Sequence, residues 1–272
     1  MDRPHKRLDA LLVERGLCSG RERAKEQIRS GNVFVNGRPE TKPSALIDPA
    51  AELCCEGGCP YVGRGGLKLE KAMREAQLDW TGLTALDIGA STGGFTDCML
   101  KNGAAVVYAV DVGHGQLHPS LCADPRVVNL EGTDARSLAA VSTIPPNAVG
   151  LVTADVSFIS VKAVLPAVRP FLTPNARLVV LIKPQFEAGR QAVGKRGVVR
   201  DPRVHRRVLD DMLRFFAEEG FRLDRLTFSP ITGGEGNIEY LAVLTAPPAG
   251  GSPICLDTKA VVDEAFAALS AR

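Results

Sequence analysis

The stretch ALDIGASTGGFTD, residues 85–97, constrains the fold of this chain more than any other part of its sequence. An apolar run ends at Asp87, three glycines follow, and a helical pattern then begins. A strand, a glycine-rich loop and a helix in this order are typical of open α/β sheets, where ligands bind beyond the carboxyl ends of the strands. The stretch therefore predicts an α/β domain with a ligand-binding loop.

The residues after Leu83 alternate between apolar runs of strand length and helical patterns. Seven strands are predicted, at residues 83–90, 104–113, 126–132, 149–158, 176–184, 221–230 and 237–247. Helices are predicted between several of them, at residues 95–103, 159–172 and 201–220. Because apolar strands that alternate with helices form a parallel sheet covered on both faces, we expect a Rossmann-like, doubly wound sheet with a hairpin-like pair at one edge.

The first 60 residues follow a different pattern, which predicts a small α+β domain. Leu8, Leu11 and Leu12 recur at helical spacing, a second helix ends at Gly31, and a strand enters a hairpin turn at Asn36. Residues 1–45 contain ten Lys or Arg against six Asp or Glu. This excess indicates either a solvated helix face or a surface that binds a nucleic-acid backbone.

Composition excludes several other classes of protein. The chain is 45% hydrophobic, so it can bury a core, and its formal net charge of +2 implies no particular partner. No run approaches the roughly 18 apolar residues of a membrane span, and the N-terminus lacks the apolar region of a secretory signal. Seven cysteines, an odd number, favour reduced thiols and a cytoplasmic protein. Cys54, Cys55 and Cys59 lack an obvious fourth zinc ligand, so no metal site is expected.

The glycine loop indicates which ligand this domain binds. Its spacing is G-x-x-x-G-G rather than the G-x-G-x-x-G of dinucleotide sites, and Asp87 precedes it directly. A carboxylate there would repel a pyrophosphate but suits the ammonium and sulfonium of S-adenosylmethionine. Asp111, 22 residues after Gly89, can accept hydrogen bonds from both ribose hydroxyls. Asp134 could hold the base or be a plain turn residue. The pattern favours S-adenosylmethionine over a dinucleotide, and a tight turn without ligand remains open.

Several segments together resemble a known family. The segments are DIGASTGGFTD, DVGHGQL, ADVSFIS, LIKPQFE, GVVRDP and GNIEY, in this order. The first resembles the cofactor loop of FtsJ-like ribose methyltransferases. The chain as a whole resembles the TlyA family of rRNA cytidine-2′-O-methyltransferases, which also carry the name hemolysin. The N-terminal segment through Lys42 and Pro43 resembles the ribosomal-protein-S-four type RNA-binding domain, and YVGRGGLKLEKA resembles the family's linker.

The resemblance implies an S-adenosylmethionine-dependent enzyme that methylates a ribose 2′-oxygen, of cytidine by family analogy, in small-subunit or large-subunit rRNA or in both. It implies an RNA-binding domain at residues 1–60, a linker at 61–66 and a Rossmann methyltransferase domain at 67–272. Two alternatives remain. One is a ribosome-assembly factor with little transferase activity, and the other is the membrane-lytic protein that the hemolysin name suggests.

The resemblance also implies a catalytic tetrad of two lysines and two acids, Lys68, Asp155, Lys183 and Glu239. Lysines and acids are the kinds of residue that this reaction needs, because a ribose hydroxyl is a poor nucleophile unless its proton is drawn away. Asp155 and Lys183 follow predicted strands, at the sheet edge where the ligand is expected. The predicted cofactor-binding residues are Asp87, Gly89, Ser91, Thr92, Gly93, Gly94, Phe95, Asp111, Val112 and Asp134.

A basic segment follows Lys183 directly. Residues 183–207 hold eight Lys or Arg and two Asp or Glu, which suits a polyanionic substrate and equally a mobile solvated loop. The predicted RNA-binding residues are Lys195 and Arg196 in this flap, together with Arg7, Arg21, Arg23, Lys25, Arg29 and Arg64.

Overall fold

The computed structural model divides the chain into two compact units, Met1–Gly63 and Arg64–Arg272. The residues that it describes are 5–15, 17–18, 20–36, 38–49, 51, 53–55, 59–140, 143–194, 197–233, 236–248 and 256–269. A helix begins at Gly65, so the end of the segment predicted as a linker, residues 61–66, is helical. The functional division of the chain at this linker stays a prediction.

The N-terminal unit combines two short helices with short antiparallel strands. The helices are α1 (Leu8–Glu14) and α2 (Arg21–Arg29), and the strands are β1 (Lys6–Arg7), β2 (Val33–Val35), β3 (Arg38–Pro39), β4 (Leu46–Ile47) and β5 (Leu53–Cys55). The strands pair in the orders β3-β2-β5 and β1-β4. Leu8 and Leu12 of α1 pack with Ile28 of α2 and Val33 of β2, all fully buried. Helical spacing of the leucines therefore places one face of α1 in this small core, at roughly 1.5–3 kcal/mol for each buried leucine.

The C-terminal unit is built on one seven-stranded sheet, which confirms the predicted Rossmann-like α/β fold. Its strands are β6 (Thr84–Ile88), β7 (Val106–Asp111), β8 (Val127–Glu131), β9 (Val149–Ala154), β10 (Leu172–Ile182), β11 (Arg222–Phe228) and β12 (Tyr240–Thr245). Their order is β11-β12-β10-β9-β6-β7-β8. Strands β6 to β10 pair in parallel, whereas β12 is antiparallel to both β10 and β11, as expected for the edge pair.

The strand order reverses beside β6, and this reversal positions the site. The chain passes from β6 to β7 and β8 on one side, and β9 and β10 lie on the other. In such sheets the crevice outside the carboxyl ends at the reversal is the usual ligand site. The ends of β6, β7, β9 and β10 here carry the glycine loop, Asp111, Asp155 and Lys183.

Helices cover the sheet. They are α3 (Gly65–Ala76), α4 (Gly94–Lys101), α5 (Pro119–Cys122), α6 (Leu165–Val168), α7 (Pro184–Glu187), α8 (Pro202–Glu218) and α9 (Thr258–Leu269). Helix α8 starts where the sequence predicts, with Pro202 in its first turn and the Asp201 carboxylate accepting a hydrogen bond from the Arg203 N–H. Within the described residues, no helix is long and apolar enough to cross a bilayer.

The helical prediction differs from the structure in several parts, and α3 is one helix that was not predicted. Residues 159–172 were expected to form one helix, but they form two 3₁₀ turns with the four-residue α6 between them. Pro166 and Pro170 lack the N–H group that a continuous helix needs at these positions, which explains the breaks. Helix α9 was not predicted from the sequence, and its Val262 and Ala265 are buried in the core of the sheet unit.

Candidate active site

The glycine loop after β6 passes very close to the end of β9. Gly89 has a φ of +79°, and a Cβ atom there would lie 2.5 Å from the main-chain oxygen of Asp155. Gly93 has a φ of +93°, and a Cβ atom there would overlap the side chain of Leu121. Only glycine tolerates both the positive φ and the close approach. Gly89 therefore lets the loop approach the end of β9, and Gly93 lets it approach Leu121.

Asp87 supports this loop from beneath. Its carboxylate is fully buried and accepts hydrogen bonds from the hydroxyls of Thr96, at 2.6 Å, and Thr153, at 2.8 Å. Burial raises the pKa of Asp87 to about 6, against the lowering effect of the two threonine hydroxyls. Each carboxylate oxygen of Asp87 thus accepts a hydrogen bond from another side chain of the protein. The predicted contact of Asp87 with a ligand stays a prediction. The sequence reading missed Thr96 and Thr153, although Thr96 lies inside the glycine-loop motif.

A cavity of about 640 Å³, here called the larger cavity, opens beside the loop. This volume lies within the roughly 300–1,000 Å³ that is usual for small-molecule sites. Of the predicted cofactor-binding residues, the cavity is lined by Gly89, Ser91, Asp111, Val112 and Asp134. It is also lined by residues that the sequence reading did not single out, among them Gln116, Arg136 and Phe158.

The two acids of the larger cavity differ in their partners. Asp111 accepts one hydrogen bond on each oxygen, from the N–H groups of Ser91 and Gly113, both at 2.8 Å. A carboxylate oxygen has a second lone pair, so Asp111 keeps acceptor capacity for a ribose diol. Asp134 instead forms an ion pair with Arg136 at 2.5 Å, and the hydrogen bond from Arg136 lowers its pKa to about 2. Asp111 therefore fits the predicted ribose contact, whereas Asp134 already carries a cationic partner.

A second cavity of about 240 Å³, the smaller cavity, contains all four residues of the predicted tetrad. Lys68 Nζ lies 2.7 Å from Glu239 Oε2 and 3.5 Å from Asp155 Oδ2. Lys183 Nζ lies 2.5 Å from Asp155 Oδ1 and donates a hydrogen bond of 2.9 Å to the Ser157 hydroxyl. Elements far apart in sequence, α3, β9, β10 and the start of β12, thus bring two lysines and two acids into one chain of ion pairs.

The tetrad is largely withdrawn from solvent. The side-chain exposures are 10% for Lys68, 9% for Lys183, 18% for Asp155 and 3% for Glu239. Burial lowers the pKa of Lys68, but the charges of Asp155 and Glu239 outweigh it, so the net pKa is raised above the ordinary value. Buried charges persist when they are paired, and these four balance one another.

Neighbouring glycines keep the pocket open around these charges. A Cβ atom at Gly233 would overlap the Glu239 carboxylate, and one at Gly65 would come into van der Waals contact with the Phe95 ring. Of the predicted cofactor-binding residues, Thr92, Gly94 and Phe95 line this smaller cavity together with Gly89 and Ser91. Gly89, Ser91 and Asp155 line both cavities. A group passing from a ligand in one cavity to a ligand in the other would therefore cross beside Asp155.

The predicted RNA-binding residues lie in varied environments. Arg7 and Arg21 both pair with the buried Asp9, Arg23 pairs with Glu26, and Lys25 pairs with Glu22. Arg29 is exposed at the end of α2, and Arg64 lines the smaller cavity. Lys195 and Arg196 lie outside the described residues. The ion pairs of Arg7 and Arg21 hold the N-terminal unit together, so part of their charge already has a partner.

The flap that follows Lys183 is anchored next to the tetrad. The Asn237 side chain donates to Gly197 O at 3.0 Å and accepts from Val199 N at 3.3 Å. The fully buried His205 contacts Val199 O at 2.8 Å through Nε2 and the Tyr240 hydroxyl at 2.9 Å through Nδ1. Asn237 and Tyr240, which bind the flap, flank Glu239 in sequence. The same segment of the chain therefore holds both the flap and one member of the tetrad.

The described part of the chain contains no cluster of three or more His, Cys, Asp or Glu arranged to hold a metal ion. Among the cysteines considered for zinc, Cys59 Sγ donates to Gly63 O at 3.4 Å. The side chain of Cys54 lies outside the description. The expected absence of a metal site stays a prediction.

Comparison with known proteins places this site in a family. A profile described as FtsJ-like methyltransferase matches residues 61–246, and one described as S4 domain matches residues 6–53. A Bacillus subtilis protein provisionally named rRNA methyltransferase YqxC is 50% identical over 245 residues, 90% of this chain and 87% of the relative. The Mycobacterium tuberculosis 16S/23S rRNA (cytidine-2′-O)-methyltransferase TlyA is 43% identical over 240 residues, 86% of this chain and 87% of the relative.

A solved structure agrees over nearly the whole length. It comes from Streptococcus thermophilus, is provisionally described as a hemolysin, and has 42% identity and a TM-score of 0.78, covering 98% of each chain. Since the FtsJ-like profile covers more than half of the sequence and the relatives are similar over most of their length, the chain belongs to the FtsJ-like methyltransferases, in the group that contains TlyA.

Proposed function

We propose that this protein transfers a methyl group from S-adenosylmethionine to the 2′-oxygen of a cytidine ribose in ribosomal RNA. The observation that carries the proposal is the buried cluster of Lys68, Asp155, Lys183 and Glu239 beside a cavity of nucleoside size. The Mycobacterium tuberculosis relative, named for this reaction on 16S and 23S rRNA, supports the choice of substrate.

The larger cavity fits the cofactor. S-adenosylmethionine is the methyl donor of this family, and it supplies an electrophilic carbon that a ribose oxygen can attack. Asp111 is held by two backbone N–H groups and presents its remaining lone pairs to the ribose hydroxyls of the cofactor. Gly89 and Ser91 line both cavities, so they would contact a cofactor bound beside the tetrad.

Lys183 is the group that acts on the substrate hydroxyl. Asp155 and Ser157 contact its ammonium group at 2.5 and 2.9 Å, so Nζ lies beside Asp155, which lines both cavities. From there Lys183 contacts the 2′-oxygen and stabilises the negative charge that develops there while the hydroxyl proton passes to solvent. Pairing with Asp155 also orients the lysine in a largely dry pocket, where such interactions are stronger than in water.

Lys68 and Glu239 complete the pocket and hold the target ribose. Lys68 bridges Glu239 and Asp155, and its raised pKa keeps it charged at neutral pH. Lys68 lies beside Oδ2 of Asp155, and Lys183 lies beside Oδ1 of the same carboxylate. The carboxylate of Glu239 offers an acceptor to the ribose, on the side of the pocket that Gly233 leaves open.

The remaining basic residues engage the RNA backbone in the cytoplasm, where ribosomes are assembled. The S4-type unit contributes Arg23, Lys25 and Arg29, and Arg64 reaches the tetrad pocket itself. Phosphate contacts of this kind position the substrate without reading its sequence. Cations of the flap after Lys183 add to the same attraction.

The experiment that tests the proposal uses tritiated S-adenosylmethionine with ribosomal subunits from cells that lack the enzyme. We expect label in the RNA at a ribose whose neighbouring phosphodiester resists alkaline cleavage, and loss of that label with Lys183→Ala. As a control, the affinity for S-adenosylhomocysteine is measured by calorimetry, and we expect the variant to bind it as the wild type does. Cofactor binding without label on either subunit would instead support an assembly factor, and the proposal would fail.

A further inference from the structure

Two neighbouring loops carry the ion pair at the centre of the tetrad. Residues 155–161, the acidic loop, follow β9 and contain Asp155, and residues 183–188, the basic loop, follow β10 and contain Lys183. Strands β9 and β10 are adjacent and parallel, so the two loops leave the sheet side by side. The distance between Asp155 and Lys183 therefore depends on how the loops are held against each other beyond the strands.

Close to the sheet, the Lys183 side chain joins the two loops. Its Nζ contacts Asp155 Oδ1 at 2.5 Å and the Ser157 hydroxyl at 2.9 Å. A lysine ammonium sits on a flexible four-carbon stem, so these contacts alone do not fix its position. An additional link is needed to keep Nζ in place when the RNA enters.

Glu187 provides a second link at the outer ends of the loops. Its Oε2 accepts a hydrogen bond of 2.6 Å from the Ser160 hydroxyl, and its Oε1 accepts one of 2.9 Å from the Val161 N–H. Ser160 Oγ in turn accepts from the Lys162 N–H at 3.1 Å. Both oxygens of the Glu187 carboxylate are thus committed to the acidic loop, four residues after Lys183.

The backbone between the two links is strained. Phe158 has a φ of +65°, a conformation unusual for an aromatic residue, and its side chain is 92% exposed. Its ring lies 5.2 Å from that of Phe186 on the basic loop. Strained conformations of this kind persist when surrounding contacts over-determine them, and Glu187 supplies contacts on the far side of Phe158.

We propose that Glu187 is a positioning residue, which clamps the basic loop to the acidic loop and so holds Lys183 Nζ against Asp155. This inference rests on the proposed function and adds to it a residue that does not line the tetrad cavity. A displacement of about 1 Å at a reacting group can cost a hundredfold in rate. Removal of the clamp should therefore reduce the chemical step and leave ligand binding intact.

The test compares Glu187→Ala, Glu187→Gln and Ser160→Ala with Glu218→Ala, which removes an exposed acid from α8. We expect kcat for methyl transfer to ribosomal subunits to fall roughly 10- to 100-fold in Glu187→Ala. The effect should be smaller in Glu187→Gln and in Ser160→Ala, because each keeps one of the two hydrogen bonds. KM for the subunits and the affinity for S-adenosylhomocysteine should stay within about twofold in every variant, since the clamp touches neither ligand.

The combination Glu187→Ala with Ser160→Ala separates positioning from folding. If both residues act through one clamp, kcat of the double variant equals that of Glu187→Ala. A kcat for Glu187→Ala equal to that of Glu218→Ala overturns the inference, as does a parallel loss of cofactor affinity and thermal stability. A wild-type protein without transfer would overturn the proposed function as well, which distinguishes the two failures.

Discussion

Each of the two units contains a carboxylate held between two cations, and the two arrangements serve different purposes. In the N-terminal unit, Asp9 is completely buried and pairs with Arg7 at 2.9 Å and Arg21 at 3.2 Å, whose side chains are 45% and 56% exposed. In the sheet unit, Asp155 pairs with Lys183 and Lys68, which are 9% and 10% exposed. One carboxylate is surrounded by solvated arginines and the other by buried lysines.

This difference shows which charge cluster is suited to chemistry. Arginine stays protonated in proteins and forms rigid forked contacts, so Asp9 with Arg7 makes a permanent structural tie. Lysine presents a compact charge on a movable stem, and its pKa responds to its surroundings. A buried cluster of four balanced charges is expensive to desolvate, and such clusters concentrate at functional sites. The four predictions below test this contrast.

The largest effect is expected for Lys183→Arg, which keeps the positive charge but replaces the compact ammonium group with a larger, planar guanidinium group. We expect the single-turnover rate of methyl transfer to fall about 10²- to 10⁴-fold, because the larger, planar guanidinium cannot take the position of Nζ between Asp155 and Ser157. Retained binding of S-adenosylhomocysteine is the control. A rate near that of the wild type would show that positive charge alone suffices at this position.

The second prediction removes one member of a buried pair. Lys68→Met leaves Glu239 buried without its 2.7 Å partner, so the free energy of unfolding of the sheet unit should fall by about 3 kcal/mol. Urea unfolding is followed by the fluorescence of Trp80, the single tryptophan of the chain.

Adding Glu239→Gln in the Lys68→Met background should restore much of the lost stability, because the unpaired charge is then gone. A double variant as unstable as Lys68→Met would mean that packing of the lysine stem, rather than its charge, stabilises the pocket.

The third prediction concerns pH and Asp9. The hydrogen bond from Arg7 lowers the pKa of Asp9 to about 2, below the roughly 3.9 of an unfolded aspartate. Folding thus favours the charged form of Asp9. The ionised carboxylate stabilises the folded state above pH 4, and this stabilisation is lost as the pH falls towards 2. Hydrogen exchange of the α1 and α2 amides should reveal a loss of about 1–2 kcal/mol over this window, discounted for the solvated arginines. Asp9→Asn should be less stable at neutral pH and should lack this pH dependence.

The smallest effect is expected for Arg21→Lys. Its contacts with Asp9, at 3.2 and 3.3 Å, are long and exposed, and Arg7 keeps both of its own. Stability by hydrogen exchange should change by less than about 1 kcal/mol, and the methyl-transfer rate should be unchanged. Exchange between arginine and lysine would then have little effect on stability or activity beside Asp9, but would greatly reduce the methyl-transfer rate beside Asp155. A large loss of activity in Arg21→Lys would contradict the assignment of this pair to structure.

Much of the sheet unit could be predicted from the sequence, because its signals are local. Apolar runs separated by helical patterns predicted all seven strands, and Pro202 with Asp201 predicted the start of α8. The grouping of Asp155 and Lys183 followed from topology, since parallel strands end at the same edge of a sheet. The break of residues 159–172 was also readable in principle, because Pro166 and Pro170 lie within that stretch.

The hydrogen bonds and ion pairs of individual side chains could not be predicted from the sequence. The contact of Asp87 with a ligand stays a prediction, and the sequence did not show that its carboxylate accepts hydrogen bonds from Thr96 and Thr153. Arg7 and Arg21 are predicted to bind RNA, and the sequence did not show that both also pair with Asp9. Glu187 stood in a quoted motif without a role until its contacts with Ser160 and Val161 were visible. In each case the pattern of residue types did not show which partner the side chain takes in the folded protein.

The sequence by itself determined the order of strands and helices, the glycines that allow a tight loop after β6, and the kinds of groups at the sheet edge. It could do so because hydrophobic periodicity and glycine conformation act over a few residues. Only the tertiary structure decided which charges are buried together, which carboxylates face a cavity and which serve the scaffold. Burial and pairing are set by elements far apart in the chain, as in the contact between Lys68 and Glu239 across 171 positions.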